Sequence, residues 1–158
     1  MNDAPIFTPE TFDLLEAIAR TPSAAFYLAH KGEFKQHIEA PLQGLMRAAG
    51  ARLPTMVRAR MEMERGVFSR FLKNDFGHGG AWANYWGAFY PKGSRRIYDA
   101  QLAVWMDRSR VGISFYINDY GKVPRERFSR NCARYRRLLP DLLAHLVAHS
   151  LIFVVLSR

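Results

Sequence analysis

The chain has 158 residues, 49% hydrophobic and 13% aromatic, enough for one domain with a substantial core and too few for two. Its net charge of +9 is uneven: residues 1–40 carry a balance of −3, and residues 41–158 a balance of +12. This composition excludes a disordered chain, and the single cysteine, Cys132, excludes an internal disulfide and fits a reducing cytoplasm. The opening Met1-Asn2-Asp3-Ala4-Pro5 lacks a basic region followed by an apolar one, so no signal peptide is expected. The basic later part suits a polyanion partner, although 18 of the 23 basic residues are arginine and a coding bias toward arginine gives the same excess.

Thr8-Pro9-Glu10 reads as a helix opening: a hydroxyl cap, proline at the first helical position, then an acid facing the helix dipole. Phe12, Leu15, Ile18 and Ala19 follow at helical spacing. Thr21-Pro22-Ser23 repeats the signal for a second helix carrying Phe26, Tyr27 and His30, which Lys31-Gly32 interrupts or bends before Phe34, His37 and Ile38. Pro41 marks a kink or restart, and Leu42, Leu45 and Met46 continue inward to Gly50. Between Thr55 and Glu64 a short helix with an exposed basic side is expected. His30 and His37 read as partly buried structural residues.

From Gly66 the period changes. Val67, Phe68 and Phe71 suit a strand, and Lys73-Asn74-Asp75 with Gly77-His78-Gly79-Gly80 a loop. Asn84 to Tyr90 is a second strand, stopped by Pro91-Lys92-Gly93. Tyr98–Met106 and Val111–Ile117 form the clearest hairpin. In the latter Val111, Ile113, Phe115 and Ile117 are expected on a buried face and Gly112, Ser114 and Tyr116 on an open one. Val123-Pro124 opens a last helix with Phe128, Cys132, Tyr135 and Leu139 on one side and Arg127, Arg130, Arg134 and Arg137 on another. Four arginines on one face can hold phosphates or simply be solvated.

The fold class expected is α+β, with N-terminal helices packed on an antiparallel sheet, followed by a C-terminal helix. One domain spans 1–140, with a helical part at 8–63, a sheet part at 65–121 and a helix at 123–140. Residues 141–158 form an apolar tail, expected to be truncated. It is too short and too interrupted by His145, His149 and Ser150 to cross a membrane.

The chemistry-bearing patterns are weak. One cysteine and a lone His145/His149 pair do not make a zinc site. Gly77-His78-Gly79-Gly80 lacks the lysine and hydroxyl of a phosphate loop. Asp75, Asp99, Asp107 and Asp119 have no spacing that gathers a metal. No catalytic residue, metal or cofactor is therefore assigned. Binding fares better, because aromatic rings stack on bases while cations hold phosphates. The contact candidates are Arg70, Lys73, Trp82, Tyr85, Tyr90, Lys92, Arg95 and Arg96, with Arg127, Arg130 and Arg134 on the last helix. Trp105 and Phe115 are expected to be buried, and one or two of Trp82, Tyr85 and Tyr90 to be accessible.

Glu64-Arg65-Gly66-Val67-Phe68-Ser69-Arg70-Phe71-Leu72-Lys73-Asn74-Asp75 resembles a bacterial domain of unknown function. That domain is found alone and at the N-terminus of McrB-type AAA+ ATPases, relatives of methylcytosine-specific restriction proteins. Phe7-Thr8-Pro9-Glu10-Thr11-Phe12, Phe26-Tyr27-Leu28-Ala29-His30-Lys31 leading to Ala40-Pro41, Tyr85-Trp86-Gly87-Ala88-Phe89-Tyr90 and Gly112-Ile113-Ser114-Phe115-Tyr116-Ile117 fit it too. The likeness spans most of residues 7–138. It implies helices on an antiparallel sheet and carries no catalytic residue across. It also implies a restriction-type module that selects DNA beside a motor, the chain itself having no Walker A motif. The partners it suggests are DNA and an AAA+ ATPase domain or subunit, with no membrane. A protein-interaction domain and an uncharacterised enzyme of the stand-alone family are the alternatives.

Overall fold

The computed structural model describes residues 6–141 and 144. Thr8 caps α1 (Pro9–Arg20), where proline at the first position has no N–H to leave unpaired. Thr11 Oγ1 accepts from the Thr8 amide at 3.2 Å and donates to the His37 carbonyl at 2.8 Å. That carbonyl lies four residues before Pro41, which has no N–H to offer it, so the threonine hydroxyl ties α1 to the next helical stretch. Ser23 opens α2 (Ala24–Ala29), its Oγ accepting from the Phe26 amide at 3.1 Å. The break expected at Lys31-Gly32 falls at His30, and α3 (Lys31–Phe34) starts directly after it. From Lys35 to Glu39 the backbone widens into a π-helical turn before Pro41 enters α4 (Ala40–Arg52). The wider turn accommodates a ring that would crowd an α-helical one. The exposed α5 (Thr55–Arg60) carries Arg58 and Arg60 as expected.

Four strands follow in the order β1–β2–β3–β4, antiparallel throughout: β1 (Met61–Glu62), β2 (Tyr85–Pro91), β3 (Ala100–Met106) and β4 (Val111–Ile117). With α6 (Lys122–Arg134) after the sheet, the fold is α+β. Several boundaries differ from the sequence reading: β3 starts at Ala100 because Tyr98 belongs to a 3-10 turn, and the helix expected at 123–140 stops at Arg134, with residues 135–138 in a turn. The helical part ends in a strand, because Met61 and Glu62 pair with Pro91 and Tyr90 at the sheet's edge. The strand expected at Val67–Phe71 is an irregular segment running along the same edge of β2. There Ala88 N donates to Val67 O at 2.9 Å and Ser69 N to Trp86 O at 2.8 Å, but Trp86 N donates to Ser69 Oγ at 2.9 Å. A side-chain hydroxyl takes the place of a backbone carbonyl, and the ladder stops.

The helices cover one face of β2 and the end of β3. Phe71 is 1% exposed and sits among Tyr27, Phe34 and Tyr85, with ring centroids 4.8–5.3 Å away. Burial, reinforced by the hydrogen bond that Tyr27 donates to Glu39 at 2.9 Å, pushes the Tyr27 hydroxyl up to about 12. Burial also raises the Tyr85 hydroxyl, which accepts from Gln43 at 3.2 Å. Gly87 is required where β2 crosses this layer, since a Cβ there would run into Met46 and lie 2.8 Å from Phe68.

Farther along the sheet the helical layer stops. Leu102, Ile113 and Phe115 share the helix-side face yet are 40–51% exposed. The expected burial of Phe115, and of the Val111–Ile117 face as a whole, is therefore corrected: the helices reach Met106 and Val104 but not the far half of β4. Phe128 of α6 lies against Phe115 at 5.1 Å and is itself 46% exposed, and no residue of α6 is buried. The apolar tail expected at 141–158, apart from residues 141 and 144, lies outside the described residues, as does the His145/His149 pair. Among the described residues no helix is long and apolar enough to cross a membrane.

Candidate nucleic-acid interface

Strand alternation sends Trp86, Ala88 and Tyr90 of β2, Gln101, Ala103 and Trp105 of β3, and Gly112, Ser114 and Tyr116 of β4 to the face opposite the helices. Trp86 and Trp105 are direct cross-strand partners, and so are Trp105 and Gly112. A Cβ at Gly112 would collide with the Trp105 indole, so glycine lets that ring lie across β4. Small residues in the middle and large rings at the sides leave a hollow on this face. Trp105, expected in the core, is only partly buried and lines that hollow, with Arg110 over its ring at 5.2 Å.

The connection between β2 and β3 folds back over the same face. It contains the 3-10 turn Arg96–Tyr98 and lays the Arg96 guanidinium over Trp86 at 4.3 Å, where it also donates to Val67 O at 3.0 Å. Burial lowers the Arg96 pKa from the usual arginine value, and the neighbouring Arg70 charge lowers it further. Arginine remains a cation at neutral pH all the same. Arg70 and Arg96 line one groove of about 480 Å³ with Trp82, Trp86, Asn74 and Asn84, and among the described residues no carboxylate lines it. Lys73 stands over Trp82 at 4.6 Å. Among the described residues none of these three cations is in an ion pair.

Of the sequence candidates, Arg70, Lys73, Trp82 and Arg96 thus come together. Trp82, at 49% exposure, is the accessible one of the three aromatics expected to supply contacts. Tyr85 and Tyr90 are corrected: they are 2% and 8% exposed. Tyr85 points into the helical layer, and the Tyr90 hydroxyl is spent on the Arg65 carbonyl at 2.8 Å. Lys92 and Arg95 are exposed on the β2–β3 connection and do not line the groove. Arg130 lines a separate depression with Lys122, Arg125 and Glu126, while Arg134 lies over its own neighbour Tyr135 at 5.4 Å. Arg127 is exposed on the same helix, away from the groove lining.

The groove adjoins a second hollow of about 460 Å³, sharing Asn84, Trp86 and Arg96 with it and bounded by Gln101, Trp105, Asp107 and Tyr116. Sequence reasoning passed over Gln101, because only the strand register places it on the face of the tryptophans, and over Asn84, which no motif singles out. Asp75, a candidate acid, does not join Arg70. Its carboxylate accepts from the Gly80 amide at 2.7 Å and closes the 75–80 loop, and that bond holds its pKa below the usual range. Among the described residues no group of His, Cys, Asp and Glu is arranged to hold a metal.

No family model, curated protein or solved structure matches this chain. The groove's own geometry therefore carries the functional reading.

Proposed function

We propose that this domain is a non-catalytic nucleic-acid-binding or target-recognition module of the cytoplasm, of the kind that precedes restriction-type AAA+ ATPases. The observation that carries this reading is the groove in which Arg70 and Arg96 lie together, with no carboxylate among the described residues that line it, beside the indoles of Trp82 and Trp86. Adjacent like charges repel, and an anion between them relieves that repulsion. Phosphates answer the cations, and bases answer the rings. A groove of this size suits an unpaired strand better than a duplex, whose bases expose only their edges.

The test is fluorescence anisotropy of a labelled single-stranded oligonucleotide. Three phosphate contacts, from Arg70, Lys73 and Arg96, give a slope of about −2 in log affinity against log salt. Affinity is then expected to fall by more than about tenfold between 50 and 200 mM salt. Absence of binding at 50 mM salt overturns the proposal.

The exposed apolar face of Leu102, Ile113, Phe115 and Phe128 favours a second reading, a surface that docks a neighbouring ATPase domain or subunit. A salt-insensitive complex with such a domain, in a protein that ignores DNA, would select it.

A further inference from the structure

The inner hollow differs chemically from the groove that adjoins it. It has one carboxylate, Asp107, and three side-chain amides: Asn118, Asn84 on the side shared with the groove and Arg96, and Gln101 set among Trp86, Trp105 and Tyr116. Burial pushes the Asp107 carboxyl up, but hydrogen bonds from the Ser109 hydroxyl and amide and the Arg110 amide outweigh it and hold the group below the usual carboxylate range. An ionised carboxylate in the wall repels phosphate and welcomes an amino group.

Gln101 is 3% exposed, and its carboxamide enters none of the side-chain hydrogen bonds within the described residues. Every side-chain nitrogen or oxygen fully sealed from solvent among those residues has a partner, so the Gln101 amide keeps its small residual contact with solvent through the hollow. An amide this buried, reached by water only through the hollow, has a donor and an acceptor to offer a ligand that displaces that water. A ligand with a complementary edge gains from that.

We propose that the hollow receives a single unstacked nucleobase from a strand lying in the groove, with the Gln101 carboxamide pairing to a donor–acceptor edge of the base and the aromatic walls covering its faces. The inference rests on the nucleic-acid reading above. Adjacency supports it: Asn84, Trp86 and Arg96 line both spaces, so a strand held by its phosphates at Arg70 and Arg96 has the hollow directly beside it. The arrangement matches how proteins read extruded bases, by stacking and by a side-chain amide on the hydrogen-bonding edge.

The test uses the four free nucleosides, which are uncharged and so bypass the phosphate contacts, titrated against tryptophan fluorescence in the whole chain. Saturable one-to-one quenching by at least one nucleoside is expected, unchanged between 50 and 200 mM salt. Gln101→Leu and the near-isosteric Gln101→Glu are each expected to weaken it by about tenfold or more, the loss of one bidentate pair. The wild-type titration alone decides if either variant fails to fold. Salt-sensitive oligonucleotide binding without nucleoside binding, or equal nucleoside affinity in a folded Gln101 variant, overturns the base pocket and leaves the proposed function standing. Nucleoside binding without oligonucleotide binding overturns the proposed function instead.

Discussion

Phe71→Ala is expected to lower the unfolding free energy by about 3–5 kcal/mol, measured by urea denaturation. Phe71 is 1% exposed and touches three other rings, so truncation removes buried area and leaves a cavity that Tyr27, Phe34 and Tyr85 cannot close together. Phe76 provides the control. It is 97% exposed, and Phe76→Ala is expected to change stability by less than about 0.5 kcal/mol. The Phe71 backbone, which alanine keeps, borders the binding face. Phe71 O accepts from the Trp82 backbone amide at 2.7 Å, which ties down the backbone of a residue that lines the groove. A loss at Phe71 no larger than that at Phe76 would mean that the aromatic cluster is not the core.

The second large effect is electrostatic. Arg70→Gln combined with Lys73→Gln is expected to weaken single-stranded oligonucleotide binding by about tenfold or more at low salt. It is also expected to flatten the salt slope by about 1.4, two phosphate contacts at about 0.7 each. Both side chains reach into solvent and enter no ion pair among the described residues, so stability is expected to stay within about 0.5 kcal/mol of the wild type. Neutralising Arg127 and Arg130 on α6, away from the groove lining, is the comparison. An equal loss there would place the contact on the last helix and not on the sheet.

The sequence made the helix openings legible because their signals are local. A hydroxyl before Pro9 and the Ser23 cap each act within one turn. The β3–β4 hairpin was legible for the same reason: strict alternation over seven residues leaves little else to read. Val67–Phe71 misled because its apolar residues describe burial, not pairing. Val67 and Phe71 do reach the interior, yet the Ser69 hydroxyl ends the ladder, and no periodicity reports that.

The site divides in the same way. Arg70, Lys73, Trp82 and Arg96 lie within one stretch of chain, and the fold brings them together. Tyr85 failed as a contact because which face a strand residue occupies depends on register with its neighbours, and Tyr90, though on the groove's face, is covered and bonded to the Arg65 carbonyl. Tyr85 turned inward beside Met106, its cross-strand partner, and the same register turned Trp86 outward opposite Trp105. Burial of Phe115 was expected from alternation alone, but alternation cannot tell whether a helix is long enough to cover the face it defines.

The most direct measurement of the central claim uses the three tryptophans, whose indole N–H groups give three separate signals in a proton–nitrogen correlation spectrum. On titration with a single-stranded oligonucleotide at low salt, the Trp82 and Trp86 signals are expected to move together and saturate, with Trp105 following as a base enters the inner hollow. Binding that leaves the Trp82 and Trp86 indoles unmoved would contradict the assignment of this groove.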